Sequence, residues 1–156
     1  MENNAWKNYS GLASRILAGG IIAAAGTYHF LASHEMLVWL LSGLGMPSFL
    51  CGAAAYILPY AEVLLGLFLA AGLFMPYPAV ICAGGLAITE IIFLLAWLMG
   101  LPAASEPYFG PAMSRSLAFE IFHNVLLILL IYPAAMFGRE LSLDFFIKKS
   151  LPEKIK

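Results

Sequence analysis

The chain has 156 residues, of which 62% are hydrophobic and 11% charged, with a formal net charge of -1 and a mean hydropathy of +0.89. An ordinary water-soluble domain carries roughly 45–50% apolar and about 25% charged residues, so that class is excluded and an integral membrane protein is indicated. Nothing in so nearly neutral a chain points to nucleic acid as a partner.

A stretch of about 20 apolar residues crosses the hydrocarbon core of a bilayer. Four such stretches are predicted, over residues 12–31, 50–74, 79–98 and 117–137. The first has Lys7 and Arg15 at its start and Ala23-Ala24-Ala25 within it, which invites comparison with a cleaved signal peptide. Its apolar run continues past those small residues to Phe30 and carries His29, so it is read as an uncleaved anchor.

Next comes Met36-Leu37-Val38-Trp39-Leu40-Leu41, too short to cross and followed by Ser42-Gly43-Leu44-Gly45-Met46-Pro47. It is expected to form an interfacial or re-entrant helix on the outer face, with Trp39 at headgroup level, placed as a lid.

The second span holds Cys51 at its outer end, Pro59 as a kink site, and Glu62. At 1.5 Å per residue, Glu62 lies roughly 18 Å in, close to the bilayer midplane. After the short link Met75-Pro76-Tyr77-Pro78, the third span runs back with Cys82 near its inner end and Glu90 at a depth similar to that of Glu62. A membrane thickness then separates the two cysteines, no C-x-x-C pair exists, and no intrachain disulfide is expected. The loop Leu101-Pro102-Ala103-Ala104-Ser105-Glu106-Pro107-Tyr108-Phe109-Gly110 is rich in proline and tipped by aromatic residues, which suits docking of another subunit.

In the fourth span Glu120 and His123 are three apart and share a helical face in the outer half. Depth counting predicts two tiers: an upper one of His29, Glu120 and His123, joined by Asn124, and a midplane one of Glu62 and Glu90. The last piece, Gly138 to Lys149, places Leu141 and Phe145 four apart beside basic residues, as in a short helix lying on the inner leaflet. Five of the eight basic residues, Arg139, Lys148, Lys149, Lys154 and Lys156, follow the last span. With an even number of spans this charge bias puts both termini in the cytoplasm. The expected architecture is therefore all-α: a single domain over residues 1–156 forming a polytopic membrane four-helix bundle, with the short outer segment as its cover and residues 138–156 as an amphipathic cytoplasmic tail.

An acid at the centre of a membrane helix costs about 2.5 kcal/mol or more to insert, so Glu62 and Glu90 should face the bundle interior. Three chemistries compete for these residues. A metal site is suggested by Glu120-x-x-His123 with glutamates from other helices, but di-iron carboxylate bundles use two such motifs and one is present. A quinone or other redox-lipid pocket would use His29, Glu120 and His123 to bind headgroup oxygens, with Glu62, Glu90, Glu120 and His123 passing protons. The third reading is structural, with buried acids and histidines bonded across helices to fix packing. Gly19, Gly20, Ala23 and Ala24, Gly66 with Ala70, and Gly84 with Gly85 would let the helices approach closely. No nucleotide-binding or haem-attachment motif is present, so any electron must come from a partner or a bound lipid cofactor.

Several pieces together resemble a known family: Gly45-Met46-Pro47, Ala61-Glu62-Val63-Leu64-Leu65-Gly66 leading to Ala71-Gly72-Leu73, Glu120, and Gly138-Arg139-Glu140-Leu141-Ser142-Leu143-Asp144. In order and spacing they look like the DoxX/DoxD family of small four-helix membrane proteins, in the wider group that includes the methylamine-utilisation protein MauE. The resemblance implies a multi-pass protein of a bacterial or archaeal cytoplasmic (inner) membrane that partners a redox system, as in thiosulfate:quinone oxidoreductase. Glu62 and Glu120 match acids of the family pattern; Glu90, His29 and His123 rest on the depth argument alone. MauE-like chains carry a cysteine-rich piece after the third span that is missing here, which argues against a thiol relay. Two functions follow: a quinone-binding or proton-relaying subunit of a membrane oxidoreductase, or a non-catalytic anchor or assembly factor for a redox enzyme, acting with protein partners or as a homo-oligomer. A transporter would require oligomerisation, since no inverted repeat is visible.

Overall fold

The computed structural model describes residues 2–32, 34–100, 117–137 and 139–150. Among these the chain is entirely helical: α1 (Glu2–Ala32), α2 (His34–Gly43), α3 (Ser48–Ala71), α4 (Tyr77–Leu98), α5 (Leu117–Met136), a 3-10 turn (Arg139–Leu141) and α6 (Leu143–Ser150). Three helices are long and apolar enough to cross a membrane, over Ala5–Leu31, Ser48–Ala71 and Tyr77–Leu98. The fourth predicted span corresponds to α5, whose apolar stretch among the described residues is the shorter Phe122–Met136. The proline-rich loop expected to dock a subunit lies outside the described residues.

Element boundaries follow local chemistry. The second span was expected to reach residue 74 but ends at Ala71, because Gly72 takes the left-handed conformation (φ 69°, ψ 37°) that closes a helix C-terminus. Its N–H donates to the Leu69 carbonyl and that of Leu73 to Phe68, satisfying carbonyls the ended helix leaves open. Pro78 lies in the first turn of α4, where a missing N–H costs nothing.

The first helix packs along α3 and α5, α4 against α5, and α2 against α3. Small residues set the closest seam. A β-carbon on Gly66 would stand 2.7 Å from the Gly19 carbonyl oxygen and 2.6 Å from the Ala23 nitrogen, so the α1 and α3 backbones touch there. Ala18, Ile22, Leu69, Cys82, Ile131 and Ala134, from four helices, form the main core. A second cluster joins Leu40 of α2 to Phe93 and Ala96 of α4.

Large apolar side chains such as Leu64, Leu67, Ile91, Leu126 and Leu129 point outward and are exposed. So extensive an apolar surface is suited to hydrocarbon as its solvent. The short apolar piece expected on the outer face is a ten-residue helix, with Trp39 exposed. Leu40 and Leu41 are nonetheless almost fully buried, so α2 is packed into the protein as well as lying on it.

The tail departs from a helix simply resting on a surface. Arg15 Nη2 donates to the Leu141 carbonyl (3.1 Å), Asn8 Nδ2 donates to Glu140 Oε2 (2.6 Å), and the Met75 N–H donates to Asp144 Oδ2 (3.1 Å). The segment from Glu140 to Asp144 is thereby bonded to α1 and to the turn between α3 and α4. Ser142, buried, accepts the Phe145 N–H and caps α6, none of whose residues is buried.

Candidate functional site

One face of α1 carries Arg15, Gly19, Ile22, Gly26 and His29, at the spacings of four and three that keep a helical stripe aligned. All five are buried. Arg15 and His29 thus stand at opposite ends of a stripe roughly 21 Å long. Gly26 brings α1 against α3, since a β-carbon there would meet the Pro59 carbonyl oxygen and the Val63 nitrogen at 2.8 Å. One turn further on, His29 meets Glu62.

His29 Nδ1 lies 2.6 Å from Glu62 Oε2, with side-chain exposures of 11% and 30%. With the carboxylate ionised, Nδ1–H donates to it, and a charge-assisted bond of this kind is among the stronger hydrogen bonds. The two-tier arrangement is therefore corrected: His29, assigned to the outer tier, is bonded to an acid assigned to the midplane. Depth counted along single helices leaves open how far α1 and α3 slide past one another, and the close approach at Gly26 sets His29 against Glu62.

Glu90 is also paired. Asn124 Nδ2 donates to Glu90 Oε1, a bond from α5 to α4, and Asn124 is 5% exposed. Asn124 therefore bonds to the acid of the other predicted tier. The Glu120 backbone belongs to α5, one turn before His123, but its side chain lies outside the described residues, so its place in the predicted His29, Glu120 and His123 group is not defined. Among the described residues no three His, Cys, Asp or Glu side chains come together as a metal-ion site.

His29, Glu62, His123 and Asn124 border a cavity of about 340 Å3. Its wall is mostly apolar, and its polar members are His29, Glu62, Thr89, His123 and Asn124 from α1, α3, α4 and α5. The short helix α2 contributes Leu37, Leu40 and Leu41, which makes it the cover of this space. Glu90 itself does not line the cavity and reaches it only through Asn124. The volume lies at the lower end of the ~300–1,000 Å3 usual for small-molecule sites, and an apolar wall with a few convergent polar groups is their usual chemistry. Cys82 lines the same cavity from α4, while Cys51 is buried and donates its thiol to the Met46 carbonyl (3.4 Å); both thiols are free.

Comparison of the chain with protein-family models, with curated proteins and with solved structures finds no match in any of the three. Sequence reasoning missed Gly26 and Arg15 as determinants of this region, taking Arg15 only as a topology charge. The signal that could have found both is the four-three spacing that aligns them with Gly19 and His29.

Proposed function

We propose that this protein is a DoxX-like integral membrane subunit of a redox system, whose cavity receives the headgroup of a quinone. The observation that carries the reading is the placement of the His29–Glu62 pair on the wall of an apolar, partly covered cavity, with His123 and Asn124 lining it from another helix. A quinone ring needs an apolar slot and hydrogen-bond donors at its carbonyl oxygens, and its reduction to quinol takes up two electrons and two protons per ring. Here Asn124 and the histidines would orient the oxygens, and the bonded His29–Glu62 pair would hold a proton next to them. The electrons would come from a partner redox protein. The family assignment rests on the motif residues around Glu62 and on the Gly138 to Asp144 segment. With it go four membrane crossings, both termini in the cytoplasm, and a bacterial or archaeal cytoplasmic membrane.

A second reading, a non-catalytic anchor or assembly factor, is favoured by one specific feature: Glu62 and Glu90 are each bonded to a side chain on a neighbouring helix, as packing clamps would be. Titration of the protein in nanodiscs with decylubiquinone separates the two. Saturable binding that weakens in His29→Gln and Glu62→Gln supports the quinone site; absence of binding in a folded wild-type protein favours the anchor.

A further inference from the structure

The cavity is not closed on all sides. Helices α3 and α4 form an antiparallel hairpin, yet their mutual contact is slight beside that of α3 with α1. At the outer end α2 bridges them, packing on α3 and inserting Leu40 against Phe93 and Ala96 of α4. At the other end the turn after Gly72 joins them. Between these closures stand residues that belong both to the cavity wall and to the outer surface. Leu58 on α3 is 46% exposed, Ile81 on α4 53% and Ile88 on α4 59%, and all three line the cavity. Gly85 lies between the last two, is exposed, lines the cavity, and has no atom within 4 Å of where its β-carbon would be. Thr89, also in the wall, donates its hydroxyl to the Gly85 carbonyl (3.0 Å), so even its polar group is turned onto the helix backbone.

We infer that the gap between α3 and α4 at Gly85 is a lateral slot through which the cavity opens directly into the bilayer, and that its occupant is a lipid-borne amphiphile. The ring headgroup lies inward, toward His29–Glu62, and the hydrocarbon tail leaves between Leu58, Gly85 and Ile88. The slot has the chemistry of a tail path, since Leu58, Ile81 and Ile88 are aliphatic and Gly85 adds no bulk. The cavity has room for a headgroup while most of a long tail stays in the surrounding hydrocarbon, and with no headgroup bound the end of a lipid acyl chain can enter the mostly apolar space at little cost. Burial of the polar ends beneath α2 leaves the bilayer as the route for a ligand that never enters water. The choice of a quinone as headgroup rests on the function proposed above; the slot itself does not.

Two adjacent glycines make the test specific. Gly84 and Gly85 are both exposed and both have open space at the β-carbon, but only Gly85 borders the cavity. The full chain is placed in phosphatidylcholine nanodiscs containing a phosphatidylcholine with a diazirine on its acyl chain, and photoadducts are mapped by mass spectrometry. In parallel, decylubiquinone association is followed by tryptophan fluorescence. In the wild type, adducts are expected at Leu127, a cavity residue only 4% exposed, which acyl chains would reach through the slot. Gly85→Leu should lower both the Leu127 adducts and the quinone association rate about tenfold, while Gly84→Leu changes neither. Ile88→Trp, at an exposed position on the same edge, should act as Gly85→Leu does and guards against a folding defect in one variant. Absence of Leu127 adducts in the wild type, or adducts undiminished in both plugging variants, overturns the slot. Leu127 labelling without decylubiquinone binding keeps the slot and removes the quinone; binding at the wild-type rate in both plugging variants keeps the quinone and removes the slot.

Discussion

Gly26 of α1 lies so close to Glu62 of α3 that a β-carbon on it would stand 2.7 Å from the Glu62 Cβ. The contact explains how two helices joined through α2 bring an imidazole and a carboxylate into direct bonding distance. Without a side chain at position 26 the backbones close, and His29, one turn on, meets Glu62 rather than lipid.

Gly26→Ala should therefore cost about 1–3 kcal/mol, the usual penalty for overpacking, because the obstructing atoms include the Pro59 carbonyl and the Val63 nitrogen, which belong to backbone. Thermal unfolding in detergent measures it. Gly20→Ala, the residue next to Gly19 but on the open side with nothing within 4 Å, is the control and should be neutral or stabilising. Equal melting temperatures for the two variants would contradict this account of the seam.

The His29–Glu62 pair should show energetic coupling. In a double-mutant cycle of His29→Gln and Glu62→Gln, an interaction energy of roughly 0.5–3 kcal/mol is expected, so the double variant is less destabilised than the two single changes summed. Additivity would mean that the 2.6 Å approach carries no stabilisation of its own.

The Asn124–Glu90 bond yields a distinct expectation. Asn124→Leu removes the donor and leaves Glu90 without it in an apolar surrounding, at a cost of about 1–3 kcal/mol. The combined Asn124→Leu, Glu90→Leu variant should recover much of that loss, since replacing both partners with apolar groups is nearly neutral. Unfolding midpoints of the three proteins decide it, and failure of the double change to recover would assign Glu90 a further partner.

Arg15 should govern the tail. Arg15→Met removes the donor to the Leu141 carbonyl, and hydrogen–deuterium exchange of residues 139–150 should rise while that of α3 and α4 changes little. Gly72→Ala should loosen the same region, because its β-carbon would meet Ser142 Cβ at 2.7 Å and Arg15 Nη1 at 2.8 Å at a positive φ. Unchanged exchange in both variants would show the tail to be held elsewhere.

Much of the fold was legible from residue order. Apolar runs of about 20 residues predict helices because backbone groups in hydrocarbon must bond within their own segment. The helices α3, α4 and α5 fall on the predicted stretches, α1 covers its stretch but begins ten residues before it, at Glu2, and α2 falls on the piece too short to cross. Boundaries drifted where a cap decided them, as at Gly72. The candidate site was less legible. Glu62, Glu90, His29 and His123 stand out in a sequence because ionisable groups are costly in lipid, but their partners depend on how far neighbouring helices slide past one another. Glu62 was paired by depth with Glu90, and the structure bonds it to His29.

The sequence by itself determined that the chain is all-helical with long apolar helices, and which polar residues demand an interior place, because each follows from one-dimensional composition weighed against hydrocarbon. Only the tertiary structure decided that Arg15 and His29 end one buried stripe, that two acids are bonded to α1 and α5, and that Leu58, Ile81, Gly85 and Ile88 are at once cavity wall and outer surface. Those outcomes depend on contacts of a few ångströms between helices, set by single glycines such as Gly19, Gly26 and Gly66, and no periodicity within one helix encodes what its neighbour presents across the seam.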